Sequence, residues 1–318
     1  MGDGHTKILI LGAGGQIGLE LTETLRTLHS PADIIASDIR QVDQLADAGP
    51  FELLNVLDKE AVYNVIRKHG ITEIYHLAAV LSATGEKDPA FAWKLNMDGL
   101  LHVLDACRDL GVGKLFWPSS IAVFGPDTPR HQTPQFTVMN PNTVYGISKQ
   151  AGELWCAYYH AKFGVDVRSI RYPGLIGYKS LPGGGTTDYA VDIYHQALAK
   201  GSFDCVLSED SALPMMYMPD AIRATLELMA APVDRVTIRT SYNLGGISFT
   251  PREIAAAIQK RIPGFTCTYN PDPLRQRIAN SWPASIDDSK ATADWNWQAQ
   301  YDLDAMTEDM LLHLSVRS

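Results

Sequence analysis

Short apolar runs alternate with amphipathic stretches through the first half of the chain. KILIL from Lys7, DIIAS from Asp33, FELL from Phe51, EIYHL from Glu73, KLFWP from Lys114 and VDVRSIRY from Val165 read as strands. Between them, Pro89 to Leu110 carries Phe91, Trp93, Leu95, Leu100, Leu101, Val103 and Leu104 at helical spacing, and a second long helix is expected over Val144 to Phe163. Strands that alternate with helices predict an α/β fold built on a doubly wound parallel sheet. After Tyr172 the rhythm changes. SLPGGGTT, LPMMYMP and NPDPLRQRIANSWP read as loops and short elements, so a smaller C-terminal lobe interleaved with the main fold is expected, with residues 1–175 as the first domain and 176–318 as mainly the second.

Composition narrows the class. With 318 residues, 46% apolar and 20% charged, the chain can bury a large core, yet no apolar run approaches the ~20 residues that span a bilayer. The start MGDGHTK has neither an apolar signal core nor an Arg-rich leader, which predicts a cytoplasmic protein with no membrane partner. Cys107, Cys156, Cys205 and Cys267 are widely spaced, with no C-x-x-C pair and no histidine cluster, so neither a metal site nor a disulfide framework is expected. A formal charge of −9 without a long Lys/Arg run argues against a nucleic-acid partner.

The chemistry begins where the first strand ends. KILILGAGGQIG empties an apolar run into Gly12, Gly14, Gly15 and Gly18, a spacing that suits a tight turn, close approach to a pyrophosphate and close helix packing. A helix starting near Gln16 then aims its first N–H groups at phosphate. Asp38 closes the second strand twenty residues after Gly18, where a carboxylate can accept from ribose hydroxyls and repel a 2′-phosphate. That favours NAD, although a turn aspartate fits the position too and Arg40 leaves room for NADP. Ala78 and Ala79 in HLAAV, from His76 to Val80, are small enough for a cofactor to lie against the backbone, or serve helix packing. Asn55 suits either the adenine edge or a turn.

Tyr145 and Lys149 stand four residues apart at the start of the second long helix, hence on one face. An ammonium beside a tyrosine favours the phenolate, which makes the pair a candidate general base and its activator. Tyr158 and Lys162 repeat the spacing thirteen residues on, in an apolar stretch read as packed; the first pair is chosen because it follows a loop at the helix N-terminus. Ser119 and Ser120 follow KLFWP at the carboxyl edge of the sheet, where a hydroxyl can stabilise a substrate oxygen.

In this order GAGGQIG, Asp38, HLAAV, PSSIAVFG, YGISK and RYPGLIG resemble the extended short-chain dehydrogenase/reductase superfamily, in its NAD-dependent epimerase/dehydratase branch. The resemblance implies a Rossmann-type fold with NAD as cofactor, held by Gly12, Gly15, Gln16, Ile17, Gly18, Asp38, Ile39, Leu54, Asn55, Leu77, Ala78, Ala79, Tyr145, Lys149 and Tyr172. It implies Ser120, Tyr145 and Lys149 as the catalytic set. Most of that branch act on nucleotide sugars. This chain departs from them at Pro173 and Gly174, where R-Y-F-N is usual, and at Leu213 in LPMMYMPD, where an arginine is often found, so two diphosphate-holding groups are missing.

The downstream segments PGGGTTDYAVDIYHQAL, LPMMYMPDAIRAT, SYNLGGISFTP and RQRIANSWPASIDDS resemble short-chain-type L-threonine 3-dehydrogenases. That likeness implies oxidation of the 3-hydroxyl of L-threonine to 2-amino-3-oxobutanoate. Ser82, Gly185, Thr186 and Trp282, with Ser120 and Tyr145, are the candidate substrate residues; Thr187 extends the same loop, a candidate lid. A turn at Ser82, a loop without substrate contact and a core Trp282 are the plainer alternatives. A nucleotide-sugar epimerase or dehydratase and a non-catalytic NAD sensor remain as alternative functions. The family likeness also implies a homodimer through the two long helices, although Leu154, Trp155, Tyr158 and Tyr159 would equally suit the chain's own core.

Overall fold

A computed structural model describes residues 6–181 and 185–316, with the backbone alone at position 83; residues 182–184 of the expected glycine-rich lid lie outside the described residues. The chain forms two compact units. One comprises Met1–Ser119, Thr143–Ile170 and Thr225–Ser241, the other Ser120–Asn142, Arg171–Ala224 and Tyr242–Ser318.

The first unit is built on six strands, β1 Ile8–Leu11, β2 Ile34–Asp38, β3 Phe51–Leu53, β4 Glu73–His76, β5 Lys114–Phe116 and β6 Val167–Arg168. They lie in the order β3-β2-β1-β4-β5-β6, and every neighbouring pair is parallel. The order reverses between β1 and β4, the switch point at which open α/β sheets bind ligands beyond their carboxyl ends. All of β1 is buried, as a central parallel strand covered on both faces requires. Leu9, Leu11, Ile35, Ile74 and Leu115 from the sheet pack with Leu100, Leu104 and Cys156 from the long helices in one core cluster.

Local sequence sets the helix ends. Asp88 accepts from Phe91 N–H and Pro89 starts the helix Pro89–Leu110, which Gly111 closes in the left-handed conformation. Thr143 caps Val144–Phe163 through Gly146 N–H, and Gly164 closes it in the same way. Both helices match the expected bounds. The expected strand from Val165 is instead interrupted at Ser169. Val167–Arg168 belongs to the large sheet, whereas Ile170–Tyr172 joins a separate three-stranded sheet with Ser119–Ser120 and Tyr242–Asn243.

The second unit is more regular than the expected loops and short elements. Strands Gly174–Ile176, Leu213–Tyr217 and Ile247–Phe249 form one sheet, and Ser202–Cys205 pairs with Thr266–Tyr269. Helices Tyr189–Lys200, Pro251–Gln259, Pro273–Ser281 and Leu303–Ser315 accompany them. The prolines explain the difference. Pro251 and Pro273 occupy the first helical turn, where a missing N–H costs nothing, behind the caps Thr250 and Asp272.

Candidate active site

Gly12 leaves β1 with φ +85°, and a Cβ there would stand 2.7 Å from Ala78 N. Only glycine meets both conditions, so the loop lies directly against the small residues after β4. At Gly18 a Cβ would fall 2.3 Å from the Gly12 carbonyl, which is why the helix Gln16–Leu28 can pack so close to the turn. Its first intrahelical bond runs from Leu19 N–H to Gly15 O, so the N–H groups of Gln16, Ile17 and Gly18 precede it at the positive end of the helix dipole. Gly14 and Gly15 are exposed. This is a cradle shaped for phosphate, and the dinucleotide fits it.

Asp38 ends β2 and accepts the Gly14 N–H at 3.0 Å, which fixes the carboxylate beside the loop. Ile39 is exposed next to it, and Leu54 is buried. Asn55 forms a turn, its Oδ1 accepting from Leu57 N–H at 3.0 Å. Leu77, Ala78 and Ala79 are half-buried. Ser82 opens a short helix, Ser82–Gly85, with its carbonyl accepting from Glu86 N–H at 3.1 Å.

Tyr145 is half-buried in the first turn of its helix, and Lys149 one turn on is only 3% exposed. The Lys149 ammonium donates to the Pro118 carbonyl at 2.5 Å and lies 4.4 Å from the centre of the Trp117 ring and 5.6 Å from that of Tyr145. Burial pulls its pKa down to about 7. The second Tyr/Lys pair is different, but not for the expected reason. Tyr158 is 48% exposed rather than packed, set edge-on to Trp155 and Phe163, and Lys162 is exposed. What separates the pairs is the interior position of Lys149.

Within the second unit, Ser120 Oγ accepts the Ala122 N–H at 3.2 Å, capping a short 3-10 turn, and Tyr172 is buried. Gly185 N–H donates to Asp188 at 2.8 Å and Thr186 is buried, so the part of the glycine-rich segment next to helix Tyr189–Lys200 is ordered by its own turn. Trp282 is buried at the end of helix Pro273–Ser281.

Several residues near Lys149 escaped the sequence reading. His76, at the end of β4, is 1% exposed with neither ring nitrogen partnered among the described residues; burial, with the Lys149 charge, lowers its pKa to about 3. Asn96 bonds the backbone N–H and C=O of Val80 at 2.8 and 3.1 Å and donates to Ser148 Oγ at 3.1 Å. Ser119, expected with Ser120 to offer a hydroxyl to a substrate oxygen, instead donates at 2.6 Å to the buried Glu153, which the sequence reading did not single out. The one sequence signal was Glu153 itself, an acid four residues after Lys149 on an otherwise interior helix face. Among the described residues no group of three or more potential ligands could hold a metal ion, and no helix is long and apolar enough to cross a membrane.

Residues 8–245 match the NAD-dependent epimerase/dehydratase family. The protein belongs to this family. Over 307 residues it is 47% identical to an uncharacterized epimerase/dehydratase of Staphylococcus haemolyticus, covering 96% of each chain. It is also similar to the solved structure of a partial-consensus L-threonine 3-dehydrogenase, with 60% identity, a TM-score of 0.95 and coverage of 98% of this chain and 99% of that one. The holo form of a GalE-like L-threonine dehydrogenase from Cupriavidus necator is 58% identical, with a TM-score of 0.95 and coverage of 97% and 99%. The family member is thus an NAD-dependent oxidoreductase of Rossmann type, and NAD is its cofactor.

Proposed function

We propose that the protein oxidises the 3-hydroxyl of L-threonine to 2-amino-3-oxobutanoate. One observation carries this reading: the likeness to L-threonine dehydrogenase structures runs at up to 60% identity over as much as 98% of the chain, and so includes the part beyond Tyr172 where a substrate would be distinguished. The absence of an asparagine at Gly174 and of an arginine at Leu213 supports a substrate without a diphosphate.

In this reading residues 1–175 hold the cofactor and 176–318 mainly the substrate. Tyr145 takes the hydroxyl proton, Lys149 stabilises the phenolate as a neighbouring cation, and Ser120 orients the same oxygen. Ser82, Gly185, Thr186 and Trp282 are assigned to the carboxylate, the ammonium and the closure of the pocket. The glycine loop, Asp38 and the segment Leu77–Ala79 hold the dinucleotide, with Ile39, Leu54, Asn55 and Tyr172 beside them. Bound NAD supplies the hydride acceptor. A cytoplasmic homodimer completes the proposal.

The test is direct. Purified protein with NAD is offered L-threonine, other hydroxy amino acids and nucleotide sugars, and NADH is followed by absorbance. Threonine alone should generate NADH; turnover of a nucleotide sugar without threonine oxidation would overturn the assignment.

A further inference from the structure

We propose that Trp117, the Pro118 carbonyl and Glu153 form one positioning cluster that holds Lys149 as an ammonium beside Tyr145. The proposal rests on the reading of Tyr145 and Lys149 as base and activator, and it concerns what keeps the activator charged.

An ammonium in a protein interior either finds compensation or gives up its proton. Lys149 has three compensating neighbours. The Pro118 carbonyl accepts its proton at 2.5 Å, the Trp117 ring presents its face at 4.4 Å, and the fully buried Glu153 carboxylate lies one helical turn on. The helix is shaped for this. Positions 149, 152 and 153 share one face, and a Cβ at Gly152 would stand 2.4 Å from the edge of the Trp117 indole, so glycine admits the ring at this level. Ser119 continues the same strand end and donates to Glu153 at 2.6 Å, orienting the carboxylate. Three consecutive residues, Trp117 to Ser119, thereby meet three positions of one helix face.

Among the described residues, the other titratable groups around Lys149 are Tyr145 and Cys156 on its own helix, His76 on β4, and Cys107, which neighbours Cys156 from helix Pro89–Leu110. Burial keeps both thiols protonated and His76 neutral at neutral pH. Within this set Glu153 is the carboxylate. Burial opposes the Lys149 charge and the cluster sustains it.

The experiment titrates Lys149 itself, in full-length protein labelled with 13Cε-lysine and followed by NMR, with the resonance assigned by its absence in Lys149→Met. Trp117→Leu should lower the midpoint by about one pH unit, a tenfold loss of proton affinity, while Trp117→Phe, which keeps an aromatic face, should restore most of it. Glu153→Gln keeps an acceptor for Ser119 and should also lower the midpoint by about one unit. The alkaline limb of the kcat/KM profile should move with it. Midpoints that stay at the wild-type value, with only the melting temperature lowered, would show that the cluster is packing and overturn the proposal. Should Trp117→Leu not fold, Glu153→Gln decides alone. The titration needs no substrate, so a failure of the threonine assignment leaves it standing.

Discussion

Lys149 shows at the scale of one residue what the site costs the fold. An unfolded lysine titrates at about 10.4, whereas burial brings Lys149 to about 7 in the folded chain. Between those values the unfolded chain binds more protons, so this residue makes stability rise with pH, and its penalty is fully present below pH 7. The stability of Lys149→Met relative to wild type should therefore be most favourable at pH 6 and decline as pH approaches 10, by on the order of a few kcal/mol across that range, while activity is lost. Calorimetry at pH 6, 8 and 10 checks the trend; a difference between variant and wild type that stays constant with pH would reject it. Tyr145→Phe makes a cleaner cut, because it removes one proton acceptor and little volume. On the proposed chemistry kcat should fall by about 10²–10⁴ with NAD affinity nearly unchanged, measured by steady-state kinetics alongside NAD titration.

Elements bring these residues to their places, and Asn96 is the tie between three of them. Projecting from helix Pro89–Leu110, it satisfies both backbone groups of Val80 just after the Leu77–Ala79 segment and reaches Ser148 beside Lys149. Asn96→Ala leaves that backbone without its partners, which should cost about 1–3 kcal/mol in denaturant unfolding. It should also weaken NAD binding more than it changes kcat; unchanged NAD affinity would show that the tie is purely structural. Much at this scale was legible in the sequence. Asp88-Pro89 and Thr143 announce helix starts, Gly111 and Gly164 announce ends, and the glycine loop marks the first turn, because each effect acts within a few residues. What was hidden depends on long-range contact. Ser119 and Glu153 are thirty-four positions apart, and no local pattern pairs them. The helices after Tyr172 were hidden differently, since Pro251 and Pro273 look like breakers until their caps are seen to precede them.

At the scale of the whole molecule, the proposed homodimer requires an apolar surface that one chain leaves uncovered. In the sequence Leu154, Trp155, Tyr158 and Tyr159 form one apolar stretch with two equally good destinations. The structure sorts them. Tyr159 is buried and donates to Asp105 at 2.7 Å, so it belongs to the chain's own core. Leu154 is 61% exposed, Tyr158 48% and Trp155 39%, and Phe91 and Trp93 on the neighbouring long helix are exposed as well. Large apolar and aromatic side chains concentrated on two packed helices are the kind of surface that soluble chains seldom leave to water. A two-fold partner would cover it with the same residues, each helix pair meeting its own copy. Light scattering should then give twice the 34.9 kDa of one chain. The double variant Leu154→Glu with Tyr158→Glu places like charges across the two-fold and should shift the mass to a single chain, with little change in the folding of each chain because both positions are at the surface. A wild-type mass of one chain across the micromolar range would instead assign these side chains to solvent.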